Sequence, residues 1–456
     1  MNQELWNKIT EFEFDTPYSE YGFSIRLAHE NFWTKEFTAL AILEYKKFMY
    51  LAATSEFMVS PSAIVDTVWH QHLIFTQSYQ KFCKLLKKQI QHIPSTHNSE
   101  DFQKFKEAKI KTNTIYSATF GHQPTIIWEF NDMFESLNLD KSKIKIRTFI
   151  IFGILLFILL TIPAYFALKP LYVLIKNPYF ILGYIFLAIT SLIALETFNR
   201  MTLNNILEAF DKKSFIYNLN PFELIYLKTQ KTANVIHGTV NELINNKSIY
   251  VNTDKSIQLS AVKTISTDEQ VQTVKSLQEM NKVFYPTLLK SLIQKPIFGN
   301  ISNCMDAFQK YCTKSKKFGM LFYTNFAVLA LLLMIGYIRI STGIARDKPV
   351  TQIIFVCLIF TTIAIVYLKR LTKLISTRTI PGLYKNQILT KQQITDNWQW
   401  TYFLLGASVL TTSFAPLASY TDSNFNSGSS CGSSCGGGGS SCGSSCGSSC
   451  GGCGGD

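Results

Sequence analysis

Residues 148–168 read TFIIFGILLFILLTIPAYFAL, a run with no charged side chain. A helix rises 1.5 Å per residue, so roughly 20 apolar residues cross a hydrocarbon layer about 30 Å thick, and this run meets that length. Three further runs, 179–198, 319–338 and 350–368, do the same. A fifth, 401–418, is interrupted by Pro416 and by several Thr and Ser residues, and is the candidate for a last span or an interfacial segment. These runs decide the fold class: mainly α, a polytopic α-helical membrane protein whose first partner is the lipid bilayer. The spans pair into hairpins over 148–198 and 319–368.

The flanks orient the spans. Lys141, Lys143, Lys145 and Arg147 precede the first, Arg200, Lys212 and Lys213 follow the second, Lys310, Lys314, Lys316 and Lys317 precede the third, and Lys369, Arg370, Lys373 and Arg378 follow the fourth. Basic residues concentrate in cytoplasmic flanks, so the head (1–140), the insert (199–318) and the basic loop (369–397) are expected on the cytoplasmic side. The acidic, polar start of the chain does not have the layout of a cleavable secretion signal. The net charge of +13 is accounted for by these flanks, which argues against nucleic acid as a partner. Glu196 and Arg339 are the charged residues inside the spans. Both lie near span ends, where they can snorkel to the interface, so a transport path lacks its usual mid-membrane charges.

In the head, Phe37, Leu40, Ala41, Tyr45, Phe48 and Leu51 recur at three- and four-residue steps and predict an amphipathic helix with Glu44 inside its stripe. A second helix is predicted from Ser60 as N-cap, through Pro61 in its first turn, past Cys83, with His72 in its apolar stripe. Within it the run DTVWHQH (66–72) has metal-ligand residue types. His70 and His72 lie roughly 200° apart on a helix and cannot hold one ion together. Asp66 and His70, four apart, share a face and could ligate a metal or fix an imidazole tautomer. Glu44 and His72 both point into the core, where they are expected to pair as a buried hydrogen bond, since an unpaired charge is costly there. The sharper reading groups Glu44, His72 and His92 into a zinc, iron or acid–base centre, because carboxylate and neutral imidazole suit those transition metals. No other cofactor motif is present. A last helix is predicted to open at Ser99 and to stop at Gly121.

The residues PS (61–62), VD (65–66), WHQHL (69–73), Tyr79, Cys83, His92, Pro94, Tyr116, FG (120–121) and PTIIW (124–128) resemble the amino-terminal region of an uncharacterised bacterial membrane-protein family with glycine-rich, low-complexity tails. The Trp-His-x-His core is also similar to the helical domain of plant glycine-rich domain proteins. The resemblance implies the architecture and assigns no activity.

In the insert, NPFELIYL (220–227) and the apolar stripe of 233–244 predict two helices, and SIYV (248–251) and SIQL (256–259) predict a hairpin around 252–255. Helix, helix, hairpin reads as a winged-helix-like unit, and the run 220–227 resembles the middle domain of the same bacterial family. Between 232 and 246 there is no Lys or Arg to meet phosphates, so the unit is read as a module for protein partners.

The tail, 424–456, repeats Ser-Ser-Cys-Gly with almost no apolar side chain and is expected to be disordered. Cys431, Cys435, Cys442, Cys446, Cys450 and Cys453 fall within it, open to disulfides, thiol attachment or processing. A loose likeness to glycine- and cysteine-rich bacteriocin precursors implies cleavage near 424–428. The combined expectation is a non-enzymatic, membrane-anchored interaction or envelope-associated protein. The alternatives are a membrane-tethered metal-dependent enzyme and a precursor or maturation protein for a Cys-rich peptide.

Overall fold

The computed structural model describes residues 1–93, 99–176, 178–260, 265–388, 397–428 and 453–455. The chain opens with α1 (Gln3–Glu11), α2 (Phe23–Asn31) and α3 (Lys35–Thr54), the last capped by Thr34, whose side chain accepts from the Phe37 N–H. There follow α4 (Ala63–Ile74), α5 (Thr76–Leu86), the short strand β1 (Ile90–His92), α6 (Ser99–Phe120) and α7 (Thr125–Trp128). Gly121, at φ +84°, ends α6 in the left-handed region that glycine enters freely.

The helix expected from Ser60 past Cys83 is two helices. Ser62 is the cap, accepting from the Val65 N–H, while the Ser60 N–H is taken by the Thr112 hydroxyl of α6. At Phe75 (ψ 62°) the backbone leaves helical geometry and α5 starts in a new direction.

Then come α8 (Ile146–Leu174) and α9 (Tyr179–Glu208), followed by α10 (Pro221–Thr229), α11 (Thr232–Asn245), β2 (Ile249–Val251), β3 (Ser256–Leu259), α12 (Asp268–Met280), β4 (Lys282–Phe284), α13 (Tyr285–Ile293) and α14 (Pro296–Thr313). The expected hairpin is present as β2–β3, with Tyr250 opposite Gln258. A third strand unforeseen in the sequence, β4, joins β3 antiparallel with Val283 opposite Ile257. The chain continues through α15 (Lys316–Ile344), α16 (Thr351–Leu371), α17 (Ile380–Leu383), α18 (Trp398–Leu405), α19 (Ala415–Gly428) and β5 (Cys453–Gly455), which pairs antiparallel with β1.

Three expectations about the last quarter of the chain are corrected. The basic loop 369–397 is helical as far as it is described: π-helical turns at Ile375–Thr379 and Tyr384–Ile388 flank α17, and Ile375, Ile380 and Tyr384 are buried. The candidate fifth span, 401–418, is not one continuous helix. α18 ends at Gly406, whose φ of +66° breaks the helix, and the segment docks on α11 through Tyr402 Oη to the Asn234 carbonyl (2.9 Å) and the Thr411 N–H to Asn241 Oδ1 (2.8 Å). Residues 424–428, assigned to the disordered tail, form the end of α19. Of the rest of the tail only 453–455 is described.

The chain forms two compact units. One comprises residues Met1–Ser136, Lys212–Asp306 and Lys385–Asp456, so that head, insert and C-terminal segment belong together; the other comprises Leu137–Asp211 and Ala307–Tyr384. In the first unit a single carboxylate joins two helix starts. Glu223 completes a capping box with Asn220 at α10, accepting the Asn220 N–H (2.9 Å), and its other oxygen accepts the Lys35 N–H at the start of α3 (3.2 Å). Fully buried, Glu223 has its pKa pushed up to about 7 by desolvation, against the two N–H bonds that lower it.

The second unit contains four helices long and apolar enough to cross a membrane: α8, α9, α15 and α16. Their common core includes Tyr184, Leu195, Leu329, Leu332, Cys357 and Phe360. Gly336 permits a close approach, since a Cβ there would stand 2.5 Å from Cys357 Sγ and 2.9 Å from Tyr184 Oη. Outward residues such as Leu155, Phe166, Phe186 and Phe355 are exposed and suited to lipid. The polar groups are paired. Glu196 accepts from Arg370 at 2.6 Å with Arg378 at 3.6 Å, and the Arg339 guanidinium donates to the carbonyls of Tyr172 and Ile175, so both charged residues have protein partners. Asn199 and Asn325 exchange amide hydrogen bonds of 2.9 and 2.6 Å, and Asn199 also donates to Tyr367 Oη (2.8 Å), tying α9, α15 and α16 together.

Replacing Asn325 by Ala strands half of that bridge. A double-mutant cycle of Asn199→Ala and Asn325→Ala, followed by unfolding in mixed detergent micelles, is expected to give a coupling of about 0.6–2 kcal/mol. Strict additivity would show that the pair contributes nothing to helix association.

Candidate metal centre

Asp66 and His70 lie one turn apart on α4, and the chain returns after α5 to lay β1 against that same face. The return is fixed by a buried relay: Trp69 Nε1 donates to Tyr79 Oη (3.2 Å), and the Tyr79 hydroxyl donates to the Ile90 carbonyl. The Trp69 ring then meets the His92 ring edge-on, with centroids 4.5 Å apart. His92 Nε2 comes to 3.0 Å from Asp66 Oδ1, while His70 Nδ1 lies 3.4 Å from Asp66 Oδ2. One ligand atom from each of Asp66, His70 and His92 lies within 4.8 Å of the other two.

The two contacts run to different oxygens of Asp66, and the one to His92 is a hydrogen bond, so an ion bound here would take the place of that bond. Asp66 and His92 are largely covered, with 16% and 12% of the side chain exposed, whereas His70 is 55% exposed and faces water. Two imidazoles and one carboxylate make a donor set for zinc or iron, and three protein ligands leave a coordination position open on the solvent side.

The sequence-derived grouping of Glu44, His72 and His92 is corrected. Glu44 is wholly buried and engaged: Lys47 Nζ donates to one oxygen (2.7 Å), and Tyr116 Oη and Trp128 Nε1 donate to the other (2.7 and 2.8 Å). Burial, then the bond to Glu44, pushes the Tyr116 phenol well above its usual pKa, so it remains a donor. Nor do Glu44 and His72 pair. His72 Nδ1 bonds to Tyr45 Oη (2.9 Å) and Nε2 to Ser78 Oγ (3.1 Å), and the ring lies among Phe14, Phe23, Tyr79 and Phe82. Successive residues on a helix point about 100° apart, so Glu44 and its neighbour Tyr45 serve different partners, which apolar periodicity alone does not reveal.

Cys431, Cys435, Cys442, Cys446 and Cys450 lie outside the described residues, and Cys453 is described through its backbone pairing with His92. Cys83, Cys304, Cys312 and Cys357 are buried free thiols.

Residues 8–116, which include the three clustered residues, match a protein-family model described as UCP032817-like. No curated protein and no solved structure matches the chain.

Burial lowers the His72 pKa to about 3, only partly offset by its bond to Ser78. The unfolded chain, with an ordinary imidazole, therefore binds more protons than the folded one between about pH 6.5 and 3, and stability falls as pH drops through that window. The melting temperature of the soluble unit is expected to decline below about pH 6.5, by up to about 1.4 kcal/mol of stability per pH unit from this residue. His72→Gln is expected to be less stable at pH 7 but to show a shallower pH slope; an unchanged slope would remove His72 as its source.

Proposed function

We propose that this chain is a membrane-anchored metal-binding protein, whose soluble helical domain takes up one transition-metal ion of the zinc class at Asp66, His70 and His92. The observation that carries this reading is the convergence of three ligand atoms from α4 and β1 within 4.8 Å of one another. The Trp69–Tyr79–Ile90 relay supports it by holding β1 in place, as outer-shell groups do around metal ligands. The exposed side of His70 gives an ion access from solvent.

The four apolar helices supply the anchor. The basic flanks favour a bacterial inner membrane with the soluble unit on the cytoplasmic side. The helix–helix–hairpin order of α10, α11, β2 and β3 supports a winged-helix-like module for protein partners, in keeping with a non-enzymatic interaction protein from the family suggested by the WHQHL motif.

Full-length protein equilibrated with zinc and then dialysed should retain about one ion per chain by plasma mass spectrometry. His70→Ala and His92→Ala should each weaken binding at least about tenfold, while His72→Ala should keep the ion wherever it folds. Absence of zinc from the wild type, or retention in both ligand variants, would reject the reading.

A further inference from the structure

A second site emerges where α18 and α19 close over α10 and α11. Between them lies a cavity of about 220 Å³ with apolar walls from Ile225, Phe403, Ala407, Leu410 and Ala418, and with His237, Tyr402 and Asp422 on its lining. Gly238 lets the two layers meet, since a Cβ there would stand 2.9 Å from the rings of Phe222 and Tyr402. None of these residues belongs to the metal centre.

His237 is 1% exposed, yet its Nε2 has no hydrogen-bond partner. Asp422 Oδ1 lies 3.9 Å from it, beyond hydrogen-bond reach. A polar atom left so in a protein interior costs on the order of 1–3 kcal/mol, which marks this one as aimed at something. The other ring nitrogen, Nδ1, lies 2.5 Å from the hydroxyl of the buried Tyr285. A carboxylate oxygen of Asp422 faces Nε2, which favours the tautomer with the hydrogen on Nε2, and the Tyr285 O–H then donates to Nδ1. Facing it, Asp422 is held below the usual carboxylate range by His237 and Lys231 and accepts only. The cavity thus sets a donor and an acceptor 3.9 Å apart in a mostly apolar lining, whose other polar members are Lys228, Thr229, Asn234, Tyr402 and Ser419. A hydroxyl group, which accepts one hydrogen bond and donates another, satisfies both; a bare amine cation would meet the N–H of His237 with a second donor.

We infer that this cavity binds a small, largely apolar molecule bearing a hydroxyl group, with the oxygen accepting from His237 Nε2–H and donating to Asp422. The α18–α19 segment closes the site, and the described chain beyond Asp422 leads directly into the Cys-rich tail, so occupancy holds the root of that tail against the soluble unit.

The test uses full-length protein in lipid nanodiscs, with empty nanodiscs subtracted, and a matched pair of probes, benzyl alcohol and toluene, followed by saturation-transfer NMR. Benzyl alcohol is expected to bind saturably and about tenfold more tightly than toluene, the ratio for one hydrogen bond to a charged group. Asp422→Ala, a half-exposed position, should abolish that preference while leaving toluene unchanged, and His237→Phe should do the same. If His237→Phe does not fold, Asp422→Ala decides alone. Equal affinity for the two probes, no saturable binding, or an undiminished preference in Asp422→Ala would overturn the inference.

Discussion

A polar group withdrawn from water must find another partner, and this constraint runs through the whole molecule. In hydrocarbon it is severe enough that an unpaired peptide group costs several kcal/mol, so the four long apolar runs have only the helix available to them. The same rule places the few polar side chains of those helices. Asn199 and Asn325 answer each other, Glu196 meets Arg370, and Arg339 donates to the carbonyls at the end of α8. What packing between apolar helices in lipid lacks in driving force, these contacts supply in specificity.

In the soluble unit the constraint works through single buried groups rather than through whole segments. Glu44 is encircled by three donors from α3, α6 and α7. His72 is closed in by aromatic rings with one hydroxyl at each nitrogen. Glu223 serves two helix N-termini, where its charge also meets the positive ends of the helix dipoles. Each of these groups is spoken for, which is why none is free to hold a ligand. Asp66, His70 and His92 lie outside this network and are bonded among themselves, His92 Nε2 to Asp66 Oδ1 at 3.0 Å. His237 is the converse case, a buried group with one nitrogen satisfied and the other turned to a cavity.

The five metal or polar-pair candidates nominated from the sequence, Glu44, Asp66, His70, His72 and His92, lie in the head, but their partners were not legible there. The i, i+4 spacing of Asp66 and His70 was enough to put them on one face, because helix geometry is local. That His92 joins them depends on the return of the chain after α5 and on the Trp69–Tyr79–Ile90 relay, both of which are tertiary. Glu44 and His72 were rightly read as buried from their place in apolar stripes, and wrongly paired, since a stripe gives the direction of a side chain relative to its own helix and nothing about the neighbour opposite. His237 carried no signal: a lone imidazole in an apolar helix has the same sequence whether its second nitrogen is met or left open.

The sequence by itself determined the four helices long and apolar enough to cross a membrane, the helical head, and the two helices and hairpin of the insert, because hydropathy length, apolar periodicity and turn chemistry act over a few neighbouring residues. Tertiary structure alone decided that 401–418 is broken and docks on α11, since its Thr and Tyr hydrogen bonds need acceptors supplied by a distant helix. It also decided that head and insert form one unit, and that a carboxylate and two imidazoles separated by 26 residues converge. Such convergence depends on contacts between segments far apart in the chain, and only the folded backbone specifies them.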